Sequence, residues 1–131
     1  MPDPLETATQ MWADDPASRA LGMELRDLGP GRAVVAMTVR PDMVNGYAVA
    51  HGGLVSALAD SAFALACNSR GARTVAAGFD VTFLEPAYAG DVLVATAEER
   101  ALRGRSGLYD VTVRRDQTVV AEFRGRSRAA R

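Results

Sequence analysis

One acidic side chain stands apart in this sequence. Between Asp42 and Arg70 the only formally charged residue is Asp60, and its neighbours Ala57-Leu58-Ala59 and Ala62-Phe63-Ala64 are apolar. A carboxylate in such surroundings must be paired, hydrogen-bonded or raised in pKa by desolvation, and no Arg lies near it along the chain. Raised in this way, it is a better general base than an exposed Asp. The plainer reading is a structural Asp bonded across a subunit contact. Just upstream lies a second group, Asn45-Gly46-Tyr47-Ala48-Val49-Ala50-His51-Gly52-Gly53, which runs straight into the same apolar stretch. Glycines there let the backbone turn sharply and let a ligand approach the free N–H groups of a first helical turn. One such donor aimed at a developing oxyanion lowers a barrier by about 2.7–4 kcal/mol. The plainer reading of the Gly pair is a tight loop with no ligand.

Both groups need a helix to hold them. Gly52 to Ser69 is rich in Ala and Leu and free of Pro, long enough for about five helical turns, and Arg70-Gly71 closes it as a helix C-terminus does. Gly53 and Asp60 are seven residues apart, which puts them on one face but about 10.5 Å apart along the axis. At that distance they are poorly placed to act on one carbonyl. The simplest remedy is a two-fold homodimer with antiparallel helices and shared active sites, Asp60 of one chain facing Gly53 of the other. The helix is not expected to cross a membrane, because Ser56, Asp60, Ser61 and Asn68 interrupt the run of about eighteen apolar residues that a span needs.

The remaining elements follow from periodicity. Met23 to Gly29 and Arg32 to Arg40 read as a hairpin about a Gly29-Pro30-Gly31 turn. Four more runs have strand character: Thr74 to Pro86, Asp91 to Leu102, Gly107 to Arg115 and Thr118 to Ser127, spaced as an antiparallel meander. Leu5, Ala8, Met11 and Trp12 recur at helical spacing, and Pro16 to Leu21 adds a short turn of helix. The fold class expected is therefore α+β, with an antiparallel sheet of about six strands wrapped around one long central helix, the architecture called a hotdog. Residues 1–131 form a single domain in this reading, with 1–20 as a small N-terminal helical arm.

Composition narrows the function. With 131 residues, 48% of them hydrophobic, the chain can bury a real core without staples. Fifteen Arg, no Lys and sixteen acidic residues leave a net charge of -1, which removes the electrostatic case for a nucleic-acid binder. One Cys and one His cannot supply a structural zinc site, and one Cys forms no internal disulfide. The acidic N-terminal stretch lacks the basic and apolar regions of a secretory signal, so a cytoplasmic setting is expected.

Several segments together resemble the PaaI-type hotdog thioesterases of phenylacetate degradation: Asn45-Gly46, His51-Gly52-Gly53, Leu58-Ala59-Asp60-Ser61-Ala62-Phe63-Ala64 and Ala66-Cys67-Asn68-Ser69. The likeness extends from Arg19-Ala20-Leu21-Gly22 through Phe83-Leu84-Glu85-Pro86, Ala89-Gly90-Asp91 and Gly107-Leu108-Tyr109-Asp110 to Phe123-Arg124-Gly125-Arg126. What the resemblance implies is hydrolysis of an aryl- or arylacetyl-CoA thioester, phenylacetyl-CoA or a ring-hydroxylated form, by a homotetramer built as a dimer of dimers. No metal or redox cofactor is implied, coenzyme A being part of the substrate. By that likeness Asp60 acts on water or directly on the acyl carbon, and Gly53 gives its N–H to the thioester oxygen. Asn45 and His51 order the loop or the attacking water, and Ser61 matches a hydroxyl residue that often follows the Asp. Gly52 lies beside the substrate. The chain departs from the family pattern at Tyr47, often His in relatives, where it would narrow or re-aim the acyl pocket. It departs also at Ala50, where some relatives carry Cys, and at Glu85, a place often basic.

Arg103 and Arg105, around Gly104, suit the phosphates of a CoA nucleotide, the alternative being a solvated hairpin tip. A Ser/His/Asp triad is not expected, since Ser56 is fixed a turn above His51 and Cys67 lies sixteen residues beyond it. Two rivals stand outside hydrolysis: a hotdog enoyl-CoA hydratase or dehydratase, and an acyl-CoA-binding sensor that turns nothing over.

Overall fold

A computed structural model describes residues 3–131; the first two residues of the expected arm lie outside the described residues. The arm consists of α1 (Glu6–Ala13) and α2 (Pro16–Ala20). Pro16 fits the first turn of α2, where no N–H is needed, and Asp15 caps it by accepting the Ser18 N–H. Strands β1 (Glu24–Gly29) and β2 (Arg32–Thr38) form the expected hairpin. Its turn is closed by Gly31 at φ +71, a conformation that an L side chain resists. A short 3-10 turn, Pro41–Met43, leads to the long helix α3 (Gly52–Cys67), then to β3 (Thr74–Phe83), β4 (Val92–Arg103), β5 (Ser106–Arg115) and β6 (Thr118–Ala129).

Two sequence expectations need correction. The helix ends at Cys67 and not at Ser69. Asn68 and Ser69 are buried there, and their side chains take over hydrogen bonding from the helix. Asn68 Nδ2 donates to the carbonyls of Ala64 and Thr74 while its Oδ1 accepts the Thr74 N–H. Ser69 Oγ donates to the Ala66 carbonyl and accepts the Gly31 N–H. The second correction concerns pairing. The sheet order is β1-β2-β4-β5-β6-β3, all antiparallel, so only β4, β5 and β6 form a meander. The flank of β4 away from β5 is taken by β2, paired from Arg32↔Glu98 to Thr38↔Val92, and β3 instead takes the open edge of β6. Hydrophobic alternation establishes that a strand exists and leaves its partner undetermined.

The sheet curls around α3, and one apolar cluster fills the space between them. Val35, Met37, Leu93, Ala95, Val111 and Val113 face inward from β2, β4 and β5. Leu58, Ala59, Ala62, Phe63, Leu65 and Ala66 face them from α3, each 0% exposed. The alanines let the helix lie close to the sheet, and the other face of α3 carries Gly53, Ala57, Asp60 and Ala64 at partial or full exposure. Each buried Leu or Phe contributes roughly 1.5–3 kcal/mol of transfer free energy, so the apolar face of α3 secures the helix without help from its polar residues.

Helix and sheet approach tightly at Gly125 in β6. A Cβ there would sit 2.8 Å from three ring carbons of Phe63. That ring is held in turn by Tyr109 and Phe123, with centroids 5.5 and 5.7 Å away. Gly125→Ala is therefore expected to cost about 1–3 kcal/mol of stability through overpacking. Thermal or urea unfolding reads this directly, and a variant as stable as wild type would show that the Phe63 ring can move.

Candidate active site

The loop before α3 is fixed by its own polar groups. Asn45 Oδ1 accepts the Tyr47 N–H at 2.9 Å and the Val49 N–H at 3.4 Å. The Asn45 N–H donates to the Val49 carbonyl, and the Ala48 N–H to that of Asn45. Ala48 at the tip has φ +61, a left-handed conformation that is strained for a residue with a Cβ. Tyr47 beside it is 89% exposed. Two further backbone bonds, His51 N–H to the Met43 carbonyl and Ala50 N–H to the Ala87 carbonyl, anchor the loop to the body of the protein.

His51 is the N-cap of α3. Its carbonyl accepts the Leu54 and Val55 N–H groups, and its Nδ1 accepts the Gly53 N–H at 3.0 Å. Accepting at Nδ1 leaves Nε2 to carry the proton of a neutral imidazole. The N–H of Gly53, expected to be free, is thus held by the histidine beside it. Among the described residues nothing accepts the N–H of Gly52. Gly52 also answers a steric demand: a Cβ on it would meet the Phe83 ring at 3.0 Å, so the end of β3 packs against the start of the helix. A cavity of about 350 Å³ opens at this corner, lined by Asn45, Gly52, Val55, Phe83 and Glu85 among others.

Asp60 lies two turns further along α3, half-buried, and among the described residues no hydrogen bond or ion pair reaches its carboxylate. Burial pushes its pKa above the ordinary 3.8, and the negative charge of Asp15 pushes it further. The same helix disposes of the other nucleophiles. Burial, with the Asp60 charge second, pushes the Cys67 thiol up to about 12. Ser56 Oγ donates to the Gly52 carbonyl at 2.9 Å and not to His51, so no hydroxyl–imidazole pair is assembled.

Two groups of expected site residues are placed elsewhere. Ser61 turns toward the N-terminal arm, its Oγ 2.8 Å from Ser18 Oγ. Arg103 and Arg105 stand at the β4–β5 tip, where each guanidinium donates to a backbone carbonyl, Leu102 and Ala129 respectively. That tip is paired through Ser106 to Arg128 of β6, whereas Phe83, beside Gly52, is paired to Ala121. Along β6 those two positions are about 23 Å apart, so one chain does not bring the arginines to the start of its own helix. A larger cavity, about 850 Å³ between α1 and the start of β3, is lined by residues such as Met11, Asn68 and Arg73 and includes neither Asp60 nor the loop. The sequence reading missed Asp15 and Ser18. Their signal was present in Asp15-Pro16-Ala17-Ser18, an N-cap followed by Pro at the first helical position.

Comparison with known proteins adds to this geometry. The family profile described as the thioesterase superfamily matches residues 47–122. The acyl-coenzyme A thioesterase PaaI of Escherichia coli (strain K12) is 44% identical over 123 residues, 93% of this chain and 88% of that protein. The solved structure of the E. coli PaaI protein from the phenylacetic acid degradation operon superposes with a TM-score of 0.94, at 41% identity, covering 98% of this chain and 94% of that one. The TT0310 protein from Thermus thermophilus gives 0.86 at 43% identity, covering 88% of this chain and 98% of that one.

The desolvated carboxylate has a consequence for stability. The folded chain holds the Asp60 proton more tightly than the unfolded chain does. Protonation therefore stabilises the fold fully below the unfolded value of 3.8, and that contribution is lost as pH rises through the higher folded value. Asp60→Asn is expected to raise Tm at about pH 7 by on the order of 2 °C, with the gap closing at about pH 3.5. Melting curves of both proteins across that range check it, and a variant less stable at neutral pH would mean that the carboxylate has a stabilising partner.

Proposed function

The chain belongs to the thioesterase superfamily and to its PaaI-type hotdog enzymes, and from that membership we propose that it hydrolyses acyl-CoA thioesters with Asp60 as the working carboxylate. The observation that carries this reading is Asp60 itself, desolvated and unpaired on the open face of α3. Aryl or arylacetyl groups, phenylacetyl and ring-hydroxylated phenylacetyl first among them, are the proposed acyl portion, on the strength of the operon named for the E. coli relative. The scheme uses water and needs no metal or redox cofactor. A cytoplasmic setting belongs to the same reading.

The chemistry divides among few groups. Asp60 takes a proton from water as the oxygen attacks the acyl carbon, and its raised pKa brings its basicity closer to what that step requires. The thioester oxygen becomes an oxyanion stabilised by the N–H of Gly53, which exchanges His51 Nδ1 for the stronger, charged acceptor, with the N–H of Gly52 beside it. Collapse expels the CoA thiolate, which recovers the proton from Asp60. Asn45 and His51 keep the loop in shape for this exchange, and Tyr47 bounds the acyl group.

One chain separates Asp60 from Gly53 by about 10.5 Å, so the reading requires two chains. Two features support a dimer. The edge strand β3 leaves Val75, Phe79 and Phe83 exposed, while β1 at the other edge carries Glu24, Arg26 and Asp27. Charge discourages edge pairing, and an apolar edge invites it. The open face of α3 also carries only small residues around Asp60, which lets two helices lie close and antiparallel, each Asp60 near the partner's helix start. Such dimers pair further into a tetramer in this proposal, and Arg103 and Arg105 contact CoA phosphate only from the partner's side of the site.

A panel of aryl and aliphatic CoA thioesters, followed by release of free thiol, tests the function. Free CoA with a preference for phenylacetyl forms is expected. Loss of enoyl absorbance without thiol would make the protein a hydratase, and binding without either would make it a sensor. Asp60→Asn should keep CoA affinity and lose at least about 100-fold in kcat. The shared site is tested separately by mixing Asp60→Ala and Gly53→Pro chains. Pro is tolerated in the first turn of a helix; at 53 it removes the N–H and its ring displaces the His51 imidazole that this N–H now meets, so activity absent from each variant alone should return in the mixed dimer; a mixture as inactive as its parents would exclude the two-chain site.

A further inference from the structure

The N-terminal arm meets α3 through one polar chain, and its direction can be read from the donors. Asp15 accepts twice from Ser18, Oδ1 from the N–H at 2.9 Å and Oδ2 from the hydroxyl at 2.6 Å. The single hydroxyl proton of Ser18 is therefore committed to a carboxylate. In the 2.8 Å contact between Ser18 Oγ and Ser61 Oγ, Ser61 must be the donor. The chain runs from Ser61 to Ser18 to Asp15, and Ser18 is 3% exposed, which keeps water from competing. Ser61 follows Asp60 directly in α3.

We propose that Asp15, with Ser18 and Ser61 as its relay, is a positioning residue for hydrolysis: it fixes the turn of α3 that carries Asp60 and sets a second negative charge beside that carboxylate. The proposal rests on Asp60 being the working carboxylate. Other charges around α3 are otherwise engaged or face elsewhere. Arg19 of α2 lines a small cavity with Asp15 but donates to the Ala13 carbonyl. Glu6 of α1 and Asp14 just after it line the larger cavity near the C-terminal end of α3. Arg70 and Glu99 pair with each other at that same end. Asp80 of β3 pairs with Arg126 on the outer sheet face, and β1 holds Glu24, Arg26 and Asp27 exposed. On α3 itself only the Cys67 thiol follows, protonated through the working range. Asp15 is thus the one charged group shown acting on Asp60, and its sign opposes ionisation.

Asp15→Asn tests the charge: Asn caps a helix as well as Asp, its Oδ1 still accepting the Ser18 N–H while its NH2 donates to the Ser18 hydroxyl in place of the second acceptor oxygen. In the intact oligomer, carbon-13 titration of the Asp60 carboxyl should move to lower pH, because a like charge near it is removed. The acid limb of kcat/KM should move with it, while KM for the thioester and Tm stay near wild type. An unmoved titration overturns the proposal, and so does a moved titration with an unmoved rate profile. Ser18→Ala tests the relay: it keeps the charge and frees Ser61, and kcat should fall about threefold or more with KM and the acid limb unchanged. An unchanged kcat overturns the relay. Failure of the underlying reading shows separately, as full activity in Asp60→Asn, whereas the titration reports the Asp15–Asp60 coupling whether or not Asp60 is catalytic.

Discussion

A carboxylate half withdrawn from water and given no cation loses hydration that nothing in the chain returns, and the rest of the protein has to offset that loss. Here the offset comes from the opposite face of the same helix. Leu58, Phe63 and Leu65 are fully buried against the sheet, and their transfer energies together exceed what one partly solvated Asp costs. The alanines at 59, 62 and 66 matter for a different reason. They set the helix close enough that the ring of Phe63 seats under Gly125, which fixes the rotation of α3 about its own axis. That rotation decides whether Asp60 faces the open side or the core.

The two faces of the molecule are built for different company. The outer surface of the sheet carries a ladder of ion pairs, Arg100 and Arg124 on Asp110 and Arg126 on Asp80, with each guanidinium about half exposed. Pairs of this kind add little to stability and keep a surface soluble. The side holding β3 and the open face of α3 has apolar residues at the strand and small ones at the helix. Glu99 joins elements that the ladder does not. It accepts from Arg70 twice and from the buried Tyr109, and Arg70 holds its carboxyl below the usual range, which ties the end of α3 to β4 and β5.

Much of this was legible in the sequence because the signals were local. Strand alternation, the apolar helix, the turn at Pro30-Gly31 and the isolation of Asp60 all depend on residues within a few positions of one another. What was missed depends on partners distant in sequence. Nothing in the residues of β3 says that its neighbour is β6, since β2 competes for the same flank of β4 from about sixty residues upstream. The end of α3 at Cys67 is not written in the local pattern, because the side chain of Asn68 bonds Thr74, beyond the helix, as well as Ala64 within it. Nor is the capping of the Gly53 N–H, because acceptance by the residue two before it is a matter of rotamer, not of spacing. The contact of Ser61 with Ser18, forty-three positions away, is invisible to any local pattern.

The buried amide of Asn68 grips the first residue of β3 from both its N–H and its carbonyl side. Helix and edge strand are thereby tied together at a single corner. In the proposed dimer, a second copy that grips the strand therefore also bears on the helix that carries Asp60. Under that proposal, recognition between copies and alignment of the reacting groups are one mechanical event.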